Sequence, residues 1–282
     1  MTEFLSLADA IDRFVPDGVS VAMEGFTHLI PFAAGHELIR QGRRDLRIIR
    51  MTPDVISDQL IGAGCVTALE FSWGGNPGVG SLHRFRDAVE HGRPHPIDIV
   101  EHSHAAMAAR YVAGASGLPF GVLRGYRGTD LPGVTDSIST VTCPFTGEEL
   151  AAVRALSPDV AVIHAQQSDR VGNVGVWGIT GVQKEAVLSS STVVVTVEEV
   201  VDDLRPAGPN PIVLPSVVVD AVVEVPGGSH PSYSMGYSER DNAFYKGWDA
   251  VSRHPGVFAE WIDTHVLGVS DHAAYLSLVG RS

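Results

Sequence analysis

Leu46-Arg47-Ile48-Ile49-Arg50-Met51 leads into Asp54-Val55-Ile56-Ser57-Asp58-Gln59-Leu60-Ile61 and then into Val66-Thr67-Ala68-Leu69-Glu70-Phe71. The outer pieces are short and largely apolar, as strands buried on both faces are, and the middle piece reads as a helix. A strand–helix–strand unit of this kind builds a parallel sheet. The alternation continues in both directions. Upstream, Ser6-Leu7-Ala8-Asp9 is a capping box opening a helix to about Phe14. A strand follows over 19–23 and a helix over 32–41. Downstream come a helix over 82–90 with arginines on its outer face, a strand over 97–100 and an alanine-rich helix over 104–113. Further strands are expected over 138–142, 160–164, 193–197 and 217–225, with two or three helices after Asp241. The expected fold is α/β: an open, mostly parallel sheet with helices on both faces and a helical C-terminal tail, one unit over 1–282.

Composition narrows the function. The 282 residues carry 20 basic and 33 acidic side chains, a net charge of −13 that repels phosphate backbones and argues against nucleic acid. Lys184 and Lys246 are the only lysines, so Schiff-base chemistry has two candidates. Two cysteines, Cys65 and Cys143, have no metal-cage spacing and suit a reducing compartment. The beginning of the chain lacks a basic leader and no apolar run approaches a membrane span, so a cytoplasmic protein is expected.

In parallel sheets, ligands bind in loops at the carboxyl ends of strands. Four such loops stand out: 24–31, 72–80, 101–104 and 164–173. Ser72-Trp73-Gly74-Gly75-Asn76-Pro77-Gly78-Val79-Gly80 lets backbone approach a ligand and aim amides at an oxyanion, unless it is an ordinary connecting loop. It is not the dinucleotide fingerprint. In Met23-Glu24-Gly25-Phe26-Thr27, Gly25 could offer its amide to developing charge while Phe26 excludes water; the plain alternative is a turn glycine and a core ring. Glu101-His102-Ser103-His104 offers a base or nucleophile in Glu101 and a metal pair in His102 and His104. The plain alternative is a carboxylate capping the next helix. Asp169 and Asn173 are turn formers, and 226–231 reads as a rigid loop. No serine-nucleophile elbow, Walker loop or zinc-protease helix is present.

Taken in order, Glu24-Gly25-Phe26 with Pro31, the 72–80 loop with Phe85-Arg86-Asp87-Ala88-Val89-Glu90, and Arg110-Tyr111-Val112-Ala113-Gly114-Ala115-Ser116-Gly117-Leu118-Pro119-Phe120 form a pattern. Gly128-Thr129-Asp130-Leu131, Pro158-Asp159-Val160-Ala161, Val219-Asp220-Ala221-Val222-Val223 and Pro226-Gly227-Gly228 extend it. Together they resemble the A (alpha) chain of glutaconate CoA-transferase-like enzymes, within the class I CoA transferases, over nearly the whole chain.

The resemblance implies an open α/β fold, a partner B (beta) chain of similar fold and an active site between the two. Coenzyme A is then a substrate, and no metal or prosthetic group is expected. In these enzymes a glutamate attacks an acyl-CoA thioester, becomes a glutamyl-CoA thioester, and a second carboxylic acid collects the CoA. That glutamate normally follows the beta-chain strand matching 66–71; here Ser72 stands in its place, as in an alpha chain. Gly25 and Phe26 would then lie near the oxyanion, and Ser72, Gly74, Gly75 and Asn76 near the acyl group. Glu101 falls where related ring-cleaving CoA-ester hydrolases use a glutamate, so it would serve as their base or orient a transferase substrate. The rivals are a metal amidohydrolase built on His102 and His104, with His164, His230 and Asp271 available by type, and a ligand-sensing module of the same fold.

Overall fold

The computed structural model describes residues 1–281. Its first half alternates strand and helix: β1 (Glu3–Phe4), α1 (Leu7–Phe14), β2 (Ser20–Glu24), α2 (Phe32–Arg40) and β3 (Leu46–Ile49). Then come α3 (Val55–Gly62), β4 (Val66–Phe71), α4 (His83–His91), β5 (Asp98–Glu101) and α5 (His104–Ala115). Three strands follow, β6 (Phe120–Leu123), β7 (Ile138–Thr142) and β8 (Glu149–Arg154). The chain continues through β9 (Val160–Asp169), β10 (Val174–Val176), α6 (Gln183–Ser189), β11 (Thr192–Val201), β12 (Ile212–Leu214) and β13 (Ala221–Glu224). It ends in α7 (Asn242–Arg253), α8 (Pro255–Ile262) and α9 (His272–Leu278).

The main sheet runs β1-β13-β11-β9-β2-β3-β4-β5 with every neighbour parallel; β10 and β12 add antiparallel at the end of β9. Strand periodicity sends alternate residues to opposite faces. Val21, Met23, Val160 and Val162 face α1, α2, α3, α7 and α8, whereas Ala22, Ala161 and Ile163 face α5 and α6. Local signals set the helix starts. Ser6 caps α1 by accepting from the Asp9 N–H at 3.1 Å, an interaction worth ~1 kcal/mol. Asp54 caps α3 through the Ile56 N–H, and Gly92 ends α4 in the left-handed region.

Four expectations are corrected. The segment 164–173 is mostly strand: β9 runs to Asp169, which places His164 mid-strand with no exposed surface. Arg84 of α4 faces inward, donating from Nε to the Ser252 carbonyl at 2.7 Å and packing its guanidinium over Phe258. The 217–225 strand is broken by a 3-10 turn at Ser216–Val218, which leaves only Ala221–Glu224 extended. The region between α5 and β9 forms a separate antiparallel sheet, β6-β8-β7, of which only β7 is legible in the sequence. The C-terminal helices are present and fused to the core: Tyr245, Trp248 and Phe258 are buried in the same cluster as α2 and α3.

Candidate active site

The carboxyl ends of β2, β3 and β4 are stitched side by side. Glu24, last residue of β2, is buried and its Oε1 accepts the Met51 N–H and the Tyr111 hydroxyl, both at 2.8 Å. Met51 passes the contact on, its carbonyl accepting the Ser72 N–H at 3.1 Å and the Ser72 hydroxyl at 2.7 Å. Phe71 then accepts the His102 N–H at 2.8 Å, which joins β4 to the end of β5. Burial raises the Glu24 pKa above the ordinary carboxylate value, while the Arg50 charge, Tyr111 and the Met51 and Gly25 N–H groups oppose it.

Arg50 holds the next loop from below. It has no exposed surface, yet Nη1 reaches the Met23 carbonyl at 2.5 Å, Nη2 the Gly25 carbonyl at 2.9 Å and Nε the Thr52 carbonyl at 3.1 Å. Asp54 pairs with it at 3.3 Å. The loop above is tightly folded: Thr27 and Leu29 have positive φ, and a Cβ on Gly25 would lie 2.6 Å from the Leu29 carbonyl oxygen. Such backbone persists only where its surroundings over-determine it. Here Ser232 donates to the Thr27 carbonyl, Leu29 donates to Tyr233, and buried His28 accepts the Met235 N–H. The Phe26 ring meets His104 edge-on with centroids 6.4 Å apart. Among the described residues the Phe26 N–H meets no acceptor within the chain.

The 72–80 loop sorts its members by role. Gly75 gives its N–H to the Pro53 carbonyl at 3.1 Å. Asn76 is buried and fastens the loop to α7, donating from Nδ2 to the Tyr245 carbonyl at 2.7 Å. Gly74 keeps its N–H free of partners among the described residues, and ordinary van der Waals space surrounds its Cα. Trp73 is exposed and lies across Gly75.

At β5, Ser103 rather than Glu101 caps α5, accepting the Ala106 N–H at 3.2 Å. Glu101 is thereby left exposed, with no ion pair among the described residues, at the register of Phe71. His102 points inward with both ring nitrogens engaged, Nδ1 with the Tyr126 hydroxyl at 3.1 Å and Nε2 with Ser137 Oγ at 2.9 Å. Burial lowers its pKa to about 4. His104 is exposed at the first position of α5. The two histidines are therefore not a metal pair. His164 and His230 are likewise committed, to Thr196 with Glu198 and to Tyr275 with Asp241. Asp169 is a turn former, its Oδ1 accepting the Val171 and Asn173 N–H groups.

Sequence reasoning missed Arg50, Tyr111 and the structural work of Glu24. A charged residue inside the apolar run Ile48-Ile49-Arg50-Met51 was the available signal, because a buried guanidinium must find acceptors.

Residues 4–225 match the family described as Coenzyme A transferase. The alpha chain of 3-oxoadipate CoA-transferase from Pseudomonas knackmussii is 60% identical over 100% of this chain and 99% of its own. The alpha chain of glutaconate CoA-transferase from Acidaminococcus fermentans is 32% identical over 100% of this chain and 93% of its own. The crystal structure of that enzyme superposes with a TM-score of 0.89 over 99% of this chain and 93% of the matched one, at 31% identity. A cholesterol ring-cleaving hydrolase subunit of Rhodococcus jostii is 28% identical over 56% of this chain and 57% of its own. The chain is the alpha chain of a heteromeric CoA transferase, which works with a beta chain and uses CoA as a substrate. The chain belongs to the coenzyme A transferase family.

Proposed function

We propose that this chain is the alpha chain of a transferase that moves CoA between an acyl-CoA and 3-oxoadipate, with the nucleophilic glutamate on the beta chain. The 60% identity over the full length of both chains carries the substrate assignment; it is about twice the 28% shared with the ring-cleaving hydrolase. The rim supports a nucleophile from outside. Glu24 is sealed beneath two donors, and Ser72, with its hydroxyl spent on the Met51 carbonyl, stands just past the end of β4.

In this reading a partner carboxylate oxygen attacks the thioester carbonyl, the C–S bond breaks, and CoA leaves as thiolate from an acyl-glutamyl anhydride. The thiolate attacks the glutamyl carbonyl, releasing the acyl carboxylate and leaving a glutamyl-CoA thioester. The incoming acid reverses both steps and takes the CoA. Each tetrahedral oxyanion needs donors already in place, and losing one costs ~3–4 kcal/mol. The free N–H groups of Phe26 and Gly74 supply them, Gly25 makes the close approach possible, and the Phe26 ring walls off water. Ser72, Gly75 and Asn76 shape the acyl side, and Glu101 orients the acid. The whole of 1–282 acts as one unit, in the reducing cytoplasm that two unpaired cysteines suit.

Glu101 carries the second reading, hydrolytic ring cleavage, because it is exposed and not spent on capping. Mass spectrometry of products from the co-expressed pair distinguishes the two. CoA on added 3-oxoadipate supports transfer; a water-added, ring-opened CoA ester without any acceptor overturns it.

A further inference from the structure

The sheet face carrying α5 and α6 is left open toward β5. There, beside β3 and β4, lies a cavity of about 350 Å3 whose walls include Arg47, Glu70, Arg110, Asp136, Ser137 and Arg154. Glu70, buried at its floor, is gripped from both sides: Arg47 Nη1 is 2.6 Å from Oε1 and Arg110 Nη2 is 2.9 Å from Oε2. One carboxylate between two guanidiniums leaves a positive charge over, and the Arg110 side chain is only 4% exposed. Arg110 has donors to spare. Nε bonds the Arg154 carbonyl at 2.8 Å, but Nη1 finds only the Met107 sulfur, at 3.7 Å. Arg154 stands at the mouth with its side chain 64% exposed and its Asp136 partner a loose 3.8 Å away.

Three guanidiniums thus surround two carboxylates in a chain whose net charge is −13. Arg47 and Arg154 reach solvent, but the buried Arg110 has a nitrogen with no oxygen acceptor, which is costly unless a ligand meets it, and planar guanidiniums match two-oxygen anions. We infer that this cavity is a binding site for a small oxyanion, a carboxylate or phosphoryl group, distinct from the acyl-transfer rim. His102 forms the partition: its N–H closes the rim on Phe71, and its Nε2 meets Ser137 on the cavity wall. Arg47 and Arg154 close on the anion from the mouth, and Arg110 Nη1 from the floor.

The test is calorimetric titration of the co-expressed two-chain complex, at low ionic strength, with inorganic phosphate and separately with acetate. Saturable binding of one anion per copy of this chain, weakened at least tenfold by Arg154→Gln and by Arg47→Gln, is the expected result. Phosphate binding tenfold or more tighter than acetate assigns a phosphoryl ligand; comparable or tighter acetate assigns a carboxylate. Arg154 is at the surface, so its variant keeps the wild-type melting temperature. Absence of saturable binding overturns the inference, and so does binding that Arg154→Gln leaves unchanged, which would put the anion elsewhere.

Discussion

The guanidinium of Arg50 donates to the carbonyl oxygen of Gly25 across 2.9 Å, from a position with no exposed surface. A residue just past the end of β3 thereby fixes the loop after β2, and with it the direction of the Phe26 N–H. A lysine has one donor centre and cannot span the Met23 and Gly25 carbonyls together. Arg50→Lys keeps the charge opposite Asp54 but leaves at least one buried carbonyl without its donor, and is expected to lower stability by ~1–3 kcal/mol. Turnover should fall while KM stays near the wild-type value. Denaturant melts and steady-state kinetics check both, and an unchanged turnover in folded protein removes Arg50 from the positioning of the loop.

Gly25→Ala places a Cβ 2.6 Å from the Leu29 carbonyl oxygen and 2.9 Å from the Ile30 Cα, both backbone atoms that cannot swing aside. The loop must shift, at ~1–3 kcal/mol of stability. A displacement of even an ångström in a reacting geometry costs on the order of 100-fold in rate. Loss of activity well beyond loss of folding is the expected outcome. A folded variant of full activity would separate this loop from the chemistry.

Glu101→Gln should leave the fold alone, within ~0.5 kcal/mol, because the side chain is exposed and has no ion pair among the described residues. If Glu101 only orients the acid, CoA transfer falls less than ~100-fold, whereas loss of a general base costs ~100- to 10,000-fold. Transfer to 3-oxoadipate and acceptor-free ring hydrolysis, measured side by side on the variant, decide between the roles.

Two buried groups make opposite contributions on the pH axis. His102 is held neutral, its pKa lowered to about 4 by burial, so the unfolded chain takes up its proton first as pH falls. Its stabilisation is full above about 6.5 and is lost as pH drops through about 4. Asp58 is raised to about 6 by burial, against the Phe85 N–H and the Trp248 indole, so its contribution is present below the ordinary carboxylate value and lost as pH rises through about 6. Relative to wild type, His102→Gln should therefore be most destabilised at neutral pH and less so at pH 4.5. Asp58→Asn should gain on wild type above pH 6. Thermal melts across pH 4–8 test both signs.

Much of the sheet was legible because β2 to β5 are short apolar runs separated by helices with local start signals such as Ser6 and Asp54. The β6-β8-β7 sheet was not, since its strands mix small, polar and exposed residues: Gly121, Ala151 and Ala152 give no clean alternation. At the candidate site, glycine spacing singled out the loops after β2 and β4, but not which of their amides remain free. That depends on tertiary partners far along the chain, such as the Tyr245 carbonyl held by Asn76 and the Tyr111 hydroxyl on Glu24. The His-x-His pattern left two readings open because it looks the same whether a ring points outward or, as that of His102 does, into the core.

The most direct test of the account is chain-resolved intact mass spectrometry of the two-chain complex given an acyl-CoA and no acceptor. A CoA adduct confined to the beta chain, discharged onto 3-oxoadipate when that acid is added, is the expected result. An adduct on Glu101 of this chain would contradict it.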